Sequence, residues 1–265
     1  MLAEKMQRLA AVMARLREEG GCPWDRAQDH KTLKPYLIEE AYEVLEAIDE
    51  DRPDKLREEL GDLLLQVVFH ARIEEEAGRF DLADVAEEIA DKLIRRHPHV
   101  FAELRVDGVD GVLANWDKIK RHEYGGERPS ALSGVPEALP ALARAEKIQA
   151  KAAKVGFDWE DADGPMGKVE EEWREFREEL AAVKSGGAER TRARLAEELG
   201  DMLFALVNVA RFLEIDAEDA LRRTTRKFAR RFARIEEAAA ASGRRLEGMS
   251  LAEMDLLWDE AKRSE

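Results

Sequence analysis

Residues 58–72 read EELGDLLLQVVFHAR, and residues 197–211 read EELGDMLFALVNVAR. Glu, Glu, Leu, Gly, Asp, Leu, Val, Ala and Arg recur in register. The repetition extends outward on both sides. IEEAYEV (38–44) is echoed by EEEWREF (170–176), DKLIRRH (91–97) by RKFARRF (226–232), and NWDKIKRHE (115–123) by LWDEAKRSE (257–265). Four matches in the same order mean that one structural unit was used twice. The apolar positions inside the quoted stretches decide what that unit is made of. Leu56, Leu60, Leu63, Leu64, Val67 and Val68 recur at helical spacing, as do Leu195, Leu199, Met202, Leu203, Leu206 and Val207.

The chain therefore reads as all-α, with two homologous domains in tandem: 1–124, a linker at 125–137, and 138–265. The linker lies in GGERPSALSGVPEALP (125–140), where Gly, Pro and Ser replace the apolar stripe. Four main helices are expected in each unit, at roughly 3–19, 32–50, 54–77 and 82–96, then 138–154, 165–184, 189–213 and 217–240. Pro53 suits the first turn of the third helix, and Gly186 with Gly187 a break after the sixth. Ala, Leu, Glu and Arg dominate the composition, and no stretch has strand character.

A formal net charge of −15, from 58 acidic against 43 basic side chains, argues against nucleic acid or an anionic membrane as a partner. A single cysteine, Cys22, excludes an intrachain disulfide framework and fits a reducing cytoplasm. The first ten residues lack a signal-peptide core, and the longest apolar stretch is broken by Gln66, so a cytoplasmic protein is expected.

The acids are placed where an acidic protein would recruit a cation. Glu39, Glu40 and Glu43 share about one turn of the second helix, and Glu59 and Asp62 lie three apart on the third. Glu171, Glu172, Glu175, Glu198 and Asp201 repeat the arrangement. Residues three or four apart share a helix face, so packing two such helices against each other gathers four or five carboxylates beside an apolar stripe. Such a cluster is poorly tolerated without positive charge. In a chain that is 38% charged, a lone EExxE is usually a solvated face. EExxE followed by ExxD on the next helix, twice over, is a different matter. Oxygen donors without Cys or suitably spaced His favour magnesium, with manganese the alternative, over zinc. Magnesium in turn points to a phosphate-bearing ligand.

These motifs, with GGCPWDRAQDHKTLKPYLIEEAYEV (20–44) and EMDLLWDEAKR (253–263), resemble the MazG family of nucleoside triphosphate pyrophosphohydrolases in its tandem-domain form. The resemblance implies four-helix-bundle sites completed in a homodimer. It also implies magnesium-dependent cleavage of NTPs, and of dNTPs, between the α and β phosphates, which serves to cleanse the nucleotide pool. Carried over residue by residue, the metal ligands become Glu40, Glu43, Glu59 and Asp62 in the first domain, and Glu172, Glu175, Glu198 and Asp201 in the second. Glu39 and Glu171 become the residues that orient or deprotonate water.

Phosphate contacts are expected from Lys92 with Arg96 and from Lys227 with Arg231, each pair four apart. Helix C-terminal charge is the alternative reading of those residues. Trp116 with Lys120, and Trp258 with Lys262, pair an indole with an ammonium for base and phosphate, against a buried core Trp. Asn208 stands where the first repeat has Phe69, and is a candidate polar contact. Trp24 and Cys22 read as loop packing, and the five histidines as surface or core residues. The basic stretch RRTTRKFARR (222–231), against the acid-interrupted ADVAEEIADKLIRR (83–96), favours the second domain for most of the turnover.

Rival readings are weaker. A di-iron carboxylate protein needs ExxH, which no histidine satisfies. A non-catalytic helical scaffold, or a narrower dUTP or phosphoribosyl-ATP hydrolase, remains for experiment to separate.

Overall fold

The computed structural model describes residues 1–123, 130–184 and 189–264. It divides into two compact units, Met1–Gly126 and Glu127–Glu265. All regular structure among the described residues is helical.

In the first unit α1 (Leu2–Arg17), α3 (Lys34–Asp49), α4 (Pro53–Glu76) and α5 (Leu82–Arg96) are the long elements. Two short helices, α2 (Pro23–Ala27) and α6 (Pro98–Phe101), lie between them, and α7 (Gly108–Glu123) follows. α4 packs against α3, α1 and α5. Its start is set by Pro53 in the first turn, where the missing N–H costs nothing. Asp81 caps α5 reciprocally with Asp84. Met13, Leu33, Val68 and Phe69 form the buried core, flanked by Leu9, Leu16, Leu64 and Leu65.

In the second unit α8 (Ala141–Ala153), α9 (Asp163–Lys184), α10 (Glu189–Phe212) and α11 (Ala217–Ala241) repeat the order of long helices. A 3-10 turn at Leu246–Gly248 leads to α12 (Leu251–Arg263). α10 packs on α9 and α8, and α12 packs on α11. Ser250 and Glu253 form a capping box at the start of α12. Val207, Ile235 and Ala239 are buried.

The eight main helices start and stop within three residues of the positions read from periodicity. α7 and α12 add a further helix to each unit. Each carries a WDxxKR motif noted above, and each folds back on the last main helix of its unit. The stretch 130–137, read as linker, packs with the second unit: Lys151 Nζ donates to the Ser133 carbonyl at 2.7 Å, and Leu132 reaches a cavity described below. Its Gly/Pro/Ser content prevents a helix but not packing. Residues 125–129 of that segment, the Gly186–Gly187 break and the side chain of His122 lie outside the described residues. No helix among the described residues is long and apolar enough to cross a membrane.

Candidate active site

Helical spacing places Glu40 and Glu43 on one face of α3, and α4 brings Glu59 against them. One oxygen from each of these three carboxylates lies within 4.8 Å of the others. Glu59 is buried, and the other two are half-buried. The second unit builds the same triad from Glu172 and Glu175 on α9 and Glu198 on α10, again within 4.8 Å. There the buried member is Glu172.

The electrostatics show what crowding costs. Burial, followed by the charges of Asp62, Glu43, Glu39 and Glu59, pushes the Glu40 carboxyl above the ordinary carboxylate range. Burial and a hydrogen bond with Glu43 push Glu59 up as well. Burial and the charges of Glu175, Glu172 and Asp201 do the same to Glu198. Groups that resist ionisation when alone, with oxygens close enough to share one ion, form a fitting donor set for a small hard cation. Asp62 and Asp201 stand outside the triads but close enough for their charges to act on Glu40 and Glu198. Glu39 is exposed and Glu171 half-buried, both beside the triads rather than in them.

The second unit contains a cation that the motif reading did not single out. Lys168 Nζ lies 2.6 Å from Glu172 Oε1 and 3.1 Å from Glu171 Oε1. Those two carboxylates raise the pKa of the ammonium, the Glu172 bond most. In the register that pairs Glu172 with Glu40, Lys168 stands where the first repeat has Tyr36. That replacement, a charge for an aromatic ring one turn before a conserved-register acid, was the available signal.

A cavity of about 390 Å³ opens behind this site, between α8, the start of α9, and α10. Lys168, Glu172 and Asp201 line one part of it, and Phe157, Trp159 and Phe204 are among its apolar walls. Asn208 and Arg211 lie in it too, so the Phe69-to-Asn208 difference falls on a cavity wall. Arg211 donates from Nε to Asn208 Oδ1 at 2.8 Å and pairs with Asp158 at 2.5 Å. Gly164 allows this wall to close: a β-carbon there would stand 2.1 Å from Trp159 Cδ1. In the first unit the equivalent ring, Phe69, is buried in the core, with the Arg17 guanidinium 5.3 Å from its centroid.

The remaining expected residues are on other elements. Arg231 lies 5.6 Å over the Trp258 ring, joining α11 to α12, with Phe228 on the same indole. Lys227 and Lys262 are exposed on these two helices. None of Arg231, Trp258, Lys227 and Lys262 lines the cavity. In the first unit, Lys120 Nζ lies 5.1 Å over Trp116. Lys92 pairs with Glu88 at 3.7 Å, and Arg96 pairs with Glu123 at 2.6 Å. His30 and His70 stack, and His30 also bonds Glu74, a polar cluster that residue types alone did not reveal.

Two all-helical units, each gathering a carboxylate triad between facing helices, define an all-α protein built twice around an acidic site. Comparison with known proteins agrees. The model of the MazG nucleotide pyrophosphohydrolase domain matches residues 28–101 and 166–234, together more than half of the chain. Over 256 residues the chain is 45% identical to the nucleoside triphosphate pyrophosphohydrolase/pyrophosphatase MazG of Thermotoga maritima, covering 97% of this chain and 95% of that one. It is 47% identical over 263 residues to the nucleoside triphosphate pyrophosphohydrolase of Escherichia coli, covering 98% of each. It is also 49% identical to the uncharacterized protein YabN of Bacillus subtilis, over all of this chain and 53% of that protein. The chain belongs to the MazG nucleotide pyrophosphohydrolase family.

Proposed function

We propose that this chain is an enzyme that hydrolyses nucleoside triphosphates, ribo- and deoxyribo-, to the monophosphate and pyrophosphate with magnesium, manganese substituting. The observation that carries the reading is the carboxylate triad built twice, Glu40–Glu43–Glu59 and Glu172–Glu175–Glu198, in a chain whose full-length relatives bear that activity in their names. The ion would be held by Glu40, Glu43, Glu59 and Asp62 in one unit, and by Glu172, Glu175, Glu198 and Asp201 in the other. When bound, it neutralises phosphate charge and acidifies water.

The rest falls to the chain's own side chains. Glu171, beside the triad, is the group that orients water and takes its proton, as Glu39 is in the first unit. Lys168, already on the carboxylates, is positioned to transfer its ammonium to an arriving phosphate. Lys227, Arg231 and Lys262, with Trp258, are the further nucleotide contacts in the second unit. Lys92, Arg96, Trp116 and Lys120 are their counterparts in the first. There the ion pairs of Lys92 and Arg96 compete with phosphate. The cavity beside Glu172 supports the second unit as the main site of turnover. The enzyme acts in the cytoplasm, and as a homodimer: exposed apolar side chains on the helices that carry the acids, among them Ile38, Leu60, Leu199 and Leu203, support the pairing.

Incubation with a panel of NTPs and dNTPs, with magnesium or with EDTA, and separation of products by chromatography tests the reading. ATP should give AMP and pyrophosphate only when the ion is present. ADP with orthophosphate would overturn the assignment.

A further inference from the structure

Glu123, the last residue of α7, holds two guanidinium groups of α5 at once. Its Oε1 accepts from Arg95 Nε at 2.8 Å. Its Oε2 accepts from Arg96 twice, from Nη2 at 2.6 Å and from Nε at 3.1 Å. The Arg96 and Glu123 side chains are 17% and 20% exposed, so water screens their contact only in part. Arg96 and then Arg95 hold the Glu123 carboxyl down at about 2, and it keeps its charge throughout the neutral range. A carboxylate seated on forked guanidinium donors offers them two oxygens, as a phosphate does.

Two other basic side chains of these helices are engaged less firmly. Lys92 lies 3.7 Å from Glu88, one turn away and largely exposed, a kind of pair that contributes little. Lys120 lies 5.1 Å over the Trp116 ring. The packing of α7 also leaves polar atoms unpaired. Asn115 Nδ2 and Trp116 Nε1 on α7, and His99 Nδ1 on α6, are buried with no hydrogen-bond partner among the described residues. Trp116 and His99 both lie beside His97, the residue after Arg96, at ring separations of 5.3 Å and 5.6 Å. A donor buried without a partner forfeits the hydrogen bonds it makes to water. The seat of α7 is therefore incompletely satisfied by its own polar groups, and the Glu123 clamp works against that deficit.

We propose that α7 is an autoinhibitory element of the first unit: Glu123 stands in for a phosphate on Arg95 and Arg96, and must be displaced before a triphosphate binds there. This rests on the hydrolase reading, which makes Arg96 a phosphate contact, and adds a control on that contact. Since Glu123 stays ionised at neutral pH, release comes from competition by a second anion and not from protonation. A triphosphate carries more charge than one carboxylate and takes the guanidinia from it. With its clamp gone, α7 loosens, and the donors of Asn115 and Trp116 regain partners. Arg231, in register with Arg96 in the second repeat, lies over the Trp258 ring. With Glu123 in place, the first unit is the weaker of two nucleotide sites and fills after the second.

Titration calorimetry of the full-length chain with magnesium and α,β-methylene ATP, which resists cleavage at the hydrolysed bond, tests the proposal. The native chain should bind about one nucleotide tightly and a further one weakly; Glu123→Gln should tighten the weak site about tenfold or more, towards about two per chain. Glu123→Ala should act alike, and adding Arg96→Met to Glu123→Gln should remove the gain. Hydrogen–deuterium exchange reads the motion. The α7 amides should exchange faster in Glu123→Gln, and faster in the native chain once nucleotide saturates the weak site. An unchanged weak site in both Glu123 variants, with native circular dichroism, would overturn the proposal, as would a gain that survives Arg96→Met. Faster exchange without tighter binding would reduce Glu123 to a structural clasp and overturn it too. Native α7 exchange that ignores saturating nucleotide would overturn it without any variant. If native chain with magnesium neither binds the analogue nor cleaves ATP, the hydrolase reading fails and the autoinhibition falls with it. One site per chain in native and variants alike, with ATP cleaved, removes the autoinhibition alone.

Discussion

The ammonium of Lys168 lies 2.6 Å from Glu172, the buried carboxylate of the second triad. The first repeat has Tyr36 at this position. The second cluster thus has an ammonium in direct contact with a triad carboxylate, whereas in the first Lys55, paired with Glu46, acts on Glu59 through its charge. Lys168→Met should make the second cluster more dependent on an external cation. The rise in Tm on adding magnesium is expected to be larger than in the native chain, while kcat/KM for ATP falls about tenfold through loss of a phosphate partner. No change in either, in thermal unfolding and steady-state assays, would reduce Lys168 to a surface ion pair.

The two triads are built alike, and the second stands beside a cavity lined by Lys168, Glu172 and Asp201. Glu172→Gln, a near-isosteric loss of one charge, should lower kcat on the order of 100-fold or more. Glu40→Gln should leave at least a third of the activity. The reverse pattern would move the working site to the first unit, and equal partial losses would mean that both turn over.

Among the described residues, Gly164 is the one glycine whose lack of a side chain shapes the cavity. A methyl group there meets the Trp159 ring at 2.1 Å and the Trp159 β-carbon at 2.9 Å, too close for a small adjustment to relieve. Gly164→Ala should displace the indole, raise KM for ATP several-fold and leave helical content by circular dichroism unchanged. Native kinetics in this variant would show that Trp159 does not contact the nucleotide.

Acid should act on the first unit through Glu74 and His70. A hydrogen bond from Arg79, reinforced by His30, lowers the Glu74 carboxyl from an ordinary 4.5 to about 2. A carboxylate that is more acidic when folded contributes stability that is complete above 4.5 and is lost as the pH falls towards 2. Burial and His30 lower His70 below its ordinary 6.5, so its contribution also fades on acidification. The raised Glu40 and Glu59 act in the opposite direction, stabilising at low pH and losing that contribution as pH rises through their folded pKa values. Unfolding of native and Glu74→Gln chains from pH 7 to 3 in metal-free buffer should therefore give curves that differ most at neutral pH and converge below 4.5. A constant offset would refute the linkage.

Leu199, Leu203, Phe204 and Leu206 on α10 are all exposed. Light scattering should give twice the 30.0 kDa mass of one chain. Leu203→Glu, which places a charge in the stripe, should shift the population towards the single-chain mass. A native species of 30.0 kDa at every concentration would rule the dimer out.

Residue spacing alone was enough for everything that depends on local geometry. The 3.6-residue period sets the main helices and their apolar faces. The same period places Glu40 with Glu43 and Glu172 with Glu175, because partners on one helix face are neighbours whatever the rest of the chain does. The internal repeat then shows that this acidic face was built twice. Lys168 was legible only as a departure from the repeat. Its ion pair with Glu172, four residues away, is local, but nothing in a charged helix distinguishes that pair from many others.

The cavity is another matter. Gln149 meets the Phe204 carbonyl across 55 residues of sequence, and Asp158 meets Arg211 across 53. How Gln149 is bonded and how Arg211 is held beside Asn208 depend on those long-range partners, and no pattern of residue types encodes it. The tertiary structure alone also decided that Phe69 fills a core while Asn208 borders a cavity. The first repeat packs Met13 and Leu33 against that position, whereas the second leaves space between α8 and α10, and only packing of distant segments determines where a side chain has neighbours.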